Sequence, residues 1–196
     1  MDPDLQALGK SFARQLKAEG KAERTRVLYG QSIDFYARWL TTQGEPTTTA
    51  SLTRRLIRDW LADLTDGHAP ATVKTRYRGL FRFCGWCVAE DEIEANPMKG
   101  LAPPSIPSAP VPVLTDADLT ALLRACRGKE FHQVRDTAML RLLLDCGLRV
   151  SELCGLTVDG TDLDNEYALV TGKGSKVRPV YFGAQTSAAV DKYLRR

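Results

Sequence analysis

Apolar residues recur at helical spacing through the first half of the chain. Leu5, Leu8, Phe12 and Leu16 predict a first helix, closed by Gly20. A second starts at Thr25 and carries Leu28, Ile33, Phe35, Tyr36, Trp39 and Leu40. Gln43-Gly44-Glu45-Pro46 and the threonines after it read as a loop. Ser51 or Thr53 caps a third helix bearing Leu52, Leu56, Ile57, Trp60, Leu61 and Leu64. After a turn at 67–70, a fourth starts near Ala71-Thr72 and runs to about Glu92. Its expected apolar face is Val73, Tyr77, Leu80, Phe81, Cys84, Cys87 and Val88. Asn96-Pro97 stops any helix beyond it. Four helices on short loops describe a small all-α bundle.

The pattern then changes. Pro103, Pro104, Pro107, Pro110 and Pro112 lie among small residues, so 103–113 reads as an extended linker between domains 1–102 and 114–196. Thr115 caps a fifth helix that ends at Gly128, with Asp118 in its first turn. A sixth runs from about Gln133 to Cys146, with Gly147 as its C′ glycine. Ser151 caps or continues into a short helix over 148–153. Glu166 to Thr171 alternates like a strand, 172–176 is a turn, and Val177 to Phe182 returns at an edge because of Pro179. A last helix spans Thr186 to Leu194. The fold class is mainly α: a four-helix bundle, then an α+β part with a β-hairpin or small sheet.

Composition adds bounds. With 196 residues and a formal charge of +3, the chain suits one large or two small globular domains. No apolar run approaches the roughly 20 residues of a membrane helix. The acidic start Met1-Asp2-Pro3-Asp4 is no signal peptide, so the expected compartment is the cytoplasm, with no membrane partner. Five cysteines, an odd number, predict free thiols that are mostly buried. Cys84-Gly85-Trp86-Cys87 imitates a redox pair but sits inside a helical pattern, where it is structural. No second Cys/His pair has zinc spacing, and no cofactor or metal is expected.

Basic residues matter only where they cluster. Lys74, Arg78 and Arg82 lie four apart and share one helical stripe. Arg76 lies about 200° round the helix from Lys74, beside another face. The stripe fits a solvated face or phosphate contacts along DNA, and spacing alone leaves both open. Thr72, at the helix start, offers donors to a phosphate. In Gly147-Leu148-Arg149-Val150-Ser151-Glu152-Leu153, an arginine follows a helix-ending glycine in apolar company. Its guanidinium is a rigid fork for phosphate oxygens, and Glu152 is spaced to hold it. The same spacing also describes a plain surface ion pair. Lys173 and Lys176 flank Gly174-Ser175 on the hairpin tip, as solvated lysines or as ligand contacts.

The strings Gly-Leu-Arg-Val-Ser-Glu-Leu over 147–153 and Thr-Gly-Lys-Gly-Ser-Lys-Val-Arg-Pro-Val over 171–180 together resemble the tyrosine recombinase, or phage integrase, family. Thr25-Arg26, Tyr29, Trp39-Leu40, Thr72-Val73 and Ile93-Glu94-Ala95-Asn96-Pro97 resemble its N-terminal core-binding domain, a SAM-like bundle. The resemblance covers nearly the whole chain. It implies double-stranded DNA as partner, with other recombinase protomers on that DNA, and two domains that close round the duplex. In the family a tyrosine attacks the scissile phosphate without metal or external energy and forms a 3′-phosphotyrosyl link. By position, Arg149 resembles the first catalytic arginine and Glu152 the carboxylate that orients it. Lys173 resembles the lysine that protonates the leaving 5′-oxygen. Lys176 and Arg178 would contact the DNA backbone, as would Thr72, Lys74, Arg76, Arg78 and Arg82 in the first domain.

The family pattern continues into His-x-x-Arg, a second His or Trp, and the nucleophilic tyrosine. Here the only histidines, His68 and His132, precede Arg149. Tyr167 and Tyr181 lie on the hairpin, and Tyr193 follows it too closely. The expectation is a chain that stops midway through the catalytic domain and binds DNA without cutting it. The alternatives are a standalone DNA-binding regulator that competes with a full-length recombinase, and an unrelated helical interaction module.

Overall fold

The computed structural model describes residues 2–103, 105, 110–172 and 174–196. The chain folds as two units, 1–109 and 110–196. Pro104 and Pro107 of the expected linker lie outside the described residues.

The first unit holds α1 (Leu5–Ala18), α2 (Glu23–Thr42), a 3₁₀ turn (Thr49–Ser51), α3 (Arg54–Gly67) and α4 (Pro70–Ala89). Asp4 caps α1 by accepting from the backbone N–H groups of Gln6 and Ala7, at 3.0 and 2.9 Å. Gly20 ends that run with φ +68°. Thr53, not Ser51, caps α3; its Oγ1 accepts from Leu56 N at 3.3 Å. Helix α4 begins at Pro70, before the expected start, because a proline at the first helical position loses no hydrogen bond. It ends at Ala89, short of Glu92, and Asp91 turns out of it with φ 57°.

Apolar faces of all four helices meet in one core, in which Trp60, Tyr36, Phe83, Leu5 and Leu16 are among the fully buried side chains. Phe12 of α1 packs on Phe83 and Trp86 of α4, with ring centroids 5.7 and 5.5 Å apart. Phe83, rather than the expected Phe81, completes the buried face of α4. On the helical wheel Phe83 lies beside Leu80 and Cys87, whereas Phe81 falls at the rim and stacks on Tyr77 at 6.0 Å. Cys84 and Cys87 are buried, and burial pushes both thiols up, which fits packing rather than redox chemistry. Trp39, Trp60 and Trp86, the chain's three tryptophans, all belong to this unit.

The second unit holds α5 (Asp116–Ala125), α6 (Phe131–Cys146), α7 (Val150–Cys154), β1 (Thr161–Asp162), β2 (Tyr167–Thr171), β3 (Val177–Tyr181) and α8 (Ala184–Leu194). Thr115 and Asp118 form a reciprocal capping box at the start of α5. The strands make an antiparallel sheet in the order β1-β2-β3, so β3, with Pro179, is an edge. The two-residue β1 is too short to leave a periodic signal. Glu166 precedes β2 in a left-handed turn, φ 57°, rather than starting the strand. Ala138 and Leu142 of α6, Ala168 and Val170 of β2, Val180 and Val190 form the core. Helix α5 has no buried residue, and Leu122, Phe131, Leu144 and Leu194 are exposed. The mainly-α fold with an α+β second part is therefore the class read from the sequence. Among the described residues, no helix is long and apolar enough to cross a membrane.

Candidate functional site

Helix α6 is closed by Gly147, whose φ of 59° admits the left-handed turn, and Leu148 then plugs into the second core. The next residue, Arg149, is the N-cap of α7, and of the two readings of Ser151 the structure takes the second, a residue inside that helix. Glu152 stands at the third position of α7 and reaches back. Its Oε2 accepts from Arg149 N at 2.9 Å, and its Oε1 accepts from Arg149 Nη1 at 3.0 Å. Short-range spacing thus suffices to fix both groups, as in the reciprocal half of a capping box.

A third donor comes from the sheet. Arg178, paired with Val170 across β2 and β3, donates its Nη2 to Glu152 Oε2 at 3.3 Å. The Glu152 side chain is only 3% exposed, whereas Arg149 is 76% and Arg178 47% exposed. A sunken carboxylate therefore holds two guanidiniums whose outer edges face solvent. The Arg149 backbone N–H, then the charge of Arg178 and the Arg149 side chain, hold the Glu152 carboxyl below the usual carboxylate range. Gly172, at the hairpin base, lies beside this carboxylate: a Cβ there would stand in ordinary contact with Glu152 Oε1, at 3.5 Å. Gly172 N also donates to Lys176 O at 2.8 Å, closing a tip in which Gly174 and Ser175 have positive φ. Lys176 is exposed, and Lys173 lies outside the described residues. With two cations over one anion, this spot offers a forked, net positive site to an oxyanion.

The second unit also has an apolar cavity of about 430 Å³ lined by Ala138, Met139, Leu142, Leu156, Val190 and Tyr193. Arg149, Glu152 and Arg178 do not line it, so this apolar recess and the charged site are separate.

In the first unit, Arg78 and Arg82 are exposed and Lys74 and Thr72 half-buried along α4. Among the described residues none of the three cations makes a salt bridge. Arg76 is not gathered with them. It leans across to α2, where its Nη1 and Nη2 donate to Gln31 Oε1 at 3.2 and 3.3 Å and its guanidinium sits 4.3 Å from the Phe35 ring centre. Arg38 lies over the same ring at 4.7 Å. Arg38 is absent from the expected site residues, and its only sequence signal is its three-residue spacing from Phe35.

The chain is similar to known proteins over most of its length. The family model described as "Phage integrase family" matches residues 112–196. Tyrosine recombinase XerD of Pseudomonas aeruginosa is 34% identical over 179 residues, covering 90% of this chain and 59% of that protein. Tyrosine recombinase XerC of Myxococcus xanthus is 36% identical over 144 residues, covering 74% and 48%. The chain thus spans about half to two-thirds of the length of the curated relatives it matches. Among solved structures, a lambda integrase tetramer bound to a Holliday junction superposes with TM-score 0.73 at 17% identity, covering 98% of this chain and 56% of that one. The Tn1549 transposon integrase in complex with a circular intermediate DNA gives TM-score 0.73 at 20% identity, covering 98% and 65%. At these identities the likeness is one of fold.

Proposed function

Since this chain belongs to the phage integrase family of tyrosine recombinases, we propose that it grips duplex DNA as part of a site-specific recombinase and that these 196 residues alone do not cut it. The observation that carries the reading is the buried Glu152 holding the guanidiniums of Arg149 and Arg178 open to solvent. A fold without an anionic ligand gains little from sinking a carboxylate only to aim two arginines outward.

In this reading Arg149 places its fork on the non-bridging oxygens of a phosphate, and Glu152 fixes the angle of that fork. Negative charge grows on those oxygens when a nucleophile attacks, so a pre-aimed guanidinium favours the transition state over the ground state. Lys173 on the hairpin is the proposed proton donor to the leaving 5′-oxygen, with Lys176 and Arg178 near the DNA backbone. Thr72, Lys74, Arg76, Arg78 and Arg82 supply phosphate contacts from the bundle, which 1–102 forms as a domain of its own ahead of the proline-rich 103–113. The lambda relative is a tetramer on its junction, which supports further protomers on the same DNA as partners of this chain.

Cutting needs a nucleophile beyond this set. The one His-x-x-Arg among the 196 residues, His132 to Arg135, lies on α6 ahead of Arg149 rather than beyond the hairpin, so no tyrosine here follows the motifs in the family's order. Filter binding to a duplex at 50 to 200 mM salt tests the grip. Binding should weaken steeply and log-linearly with salt. Absence of any salt-dependent binding would remove the DNA reading.

A further inference from the structure

We propose that Arg38 and Arg76, braced on the two sides of the α2–α4 seam by Phe35, form a cage for a single backbone phosphate of DNA. This rests on the DNA-binding reading and names a subsite within it, off the Lys74–Arg78–Arg82 stripe.

The observation is an imbalance of charge. The Arg76 guanidinium stands 4.3 Å and that of Arg38 4.7 Å from the centre of one phenyl ring. Among the described residues neither makes a salt bridge. Every acceptor that either one finds is neutral. Arg76 donates to Gln31 Oε1 and, at 3.5 Å, to Leu28 O; Arg38 donates its Nε to Asp34 O at 3.2 Å. The Nε of Arg76 is buried with no partner at all among the described residues. His68 packs against the same ring in a T-shaped arrangement, with centroids 6.1 Å apart.

Two like charges held against one ring are costly unless something offsets them. Burial first, and the neighbouring Arg38 second, push the Arg76 guanidinium down from its ordinary value. Attraction of each cation to the negative face of the ring offsets part of the cost. A phosphate between the two forks would meet both charges at once, and guanidiniums suit its paired oxygens. The wheel position explains why the stripe misses this site. Arg76 donates across the seam to Gln31 of α2, whereas among the described residues Lys74, Arg78 and Arg82 make no side-chain hydrogen bond.

Filter binding of the full chain to a duplex, across salt concentrations, tests the cage with R38Q/R76M, which keeps both stems over Phe35. One shared phosphate predicts that the log–log salt slope falls by about 0.9 for the pair together. Thermal melts in inorganic phosphate should show R38Q/R76M stabilised less than wild-type chain, because the Arg149–Arg178 site remains in both, with equal melting points in phosphate-free buffer marking an intact fold. If the pair leaves the slope unchanged, the cage is refuted while DNA binding stands, and stabilisation by inorganic phosphate alone then marks an adventitious anion site. A fall of about 1.8 refutes the shared phosphate in favour of two separate contacts. If wild-type chain shows no salt-dependent binding, the cage and the DNA reading fall together. Should R38Q/R76M melt lower without phosphate, R38Q alone serves, because Arg38 is exposed. It should lose affinity several-fold with a smaller change in slope, and unaltered affinity refutes the cage.

Discussion

Replacing Gly79 with alanine should destabilise the bundle, although alanine is the better helix former. At Gly79, α4 packs closely on α2. A Cβ built there would overlap Ser32 Oγ and stand 2.6 Å from Ser32 Cβ and 3.2 Å from Tyr29 Cα. Carbon pairs settle at about 3.5–4.0 Å, so the two helices would have to part by roughly 1 Å. Rotating Ser32 does not relieve this, because its Cβ and the Tyr29 backbone stay in place. Overpacking of this kind costs about 1–3 kcal/mol. Ser32 is fully buried, and its Oγ donates to Leu28 O at 2.9 Å; stranding that donor adds about 1–3 kcal/mol. The gain in helix propensity is only about 1 kcal/mol. The clash wins, by about 1–5 kcal/mol. For a unit of this size each kcal/mol lowers the melting point by about 4–8 °C. Circular-dichroism melts and urea titrations of G79A should show the loss. In an S32G background, which removes both Ser32 atoms, the same change should cost at least about 1 kcal/mol less, within the range of couplings between touching residues. A G79A protein as stable as its parent, or one equally impaired with and without Ser32, would refute the close approach of α2 and α4.

Further expectations concern the charged sites and the second unit. K74A/R78A/R82A should flatten the log–log salt slope by about two to three units, so fourfold more salt should cost it up to about 40-fold less affinity than it costs wild type; filter binding reads this, and an intact slope would leave the stripe merely solvated. Glu152 is held below the carboxylate range, so its ion pairs contribute stability that is present above the unfolded carboxyl's pKa, about 4.3, and is lost as pH falls through the lower folded value. Wild-type chain should therefore lose stability more steeply than E152Q as acid titrations fall below about pH 4.3, and parallel curves would count against the buried pairing. Amides in 110–196 should exchange faster than those of the bundle core, because α5 buries nothing and Phe131, Leu144 and Leu194 stand exposed; equal protection in hydrogen exchange would contradict this. Finally, the 196 residues should form no covalent adduct with a nicked suicide substrate on a denaturing gel; an adduct abolished by Y193F, Y181F or Y167F would sink that expectation.

Local signals made most of the helical architecture legible. Leu5, Leu8, Phe12 and Leu16 mark one face because side chains three and four apart stack. Gly147 marks a helix end because few other residues accept its φ of 59°. The Arg149–Glu152 pair was equally readable, since three residues span one helical turn. Non-local partners were not. Nothing in the spacing links Arg178 to Glu152, 26 residues away, because that contact depends on the register of β2 with β3. The meeting of Arg38 and Arg76 at the Phe35 ring likewise depends on how α2 crosses α4. The wheel sets Arg76 on a face apart from the stripe, but only tertiary packing makes that face a seam with α2. Phe81 and Phe83 differ by two positions on a wheel, and only the arrangement of neighbouring helices decides which one is buried.

Confinement of the tryptophans to α2, α3 and α4 makes the chain a ready-made optical instrument. Residues 110–196 hold tyrosines at 167, 181 and 193 but no tryptophan. Excitation of indole therefore reports on the bundle alone, whereas far-ultraviolet dichroism reports on helices of both units. Unfolding of the second unit is then spectrally silent in one channel and visible in the other. Overlaying the two signals during a single titration gives the cooperativity between the units without cutting the chain or attaching a dye. Coincident curves would mean one cooperative block. Separated curves would give each unit its own midpoint, and the shift of the indole curve when DNA is added would isolate the part of the binding energy that reaches the bundle.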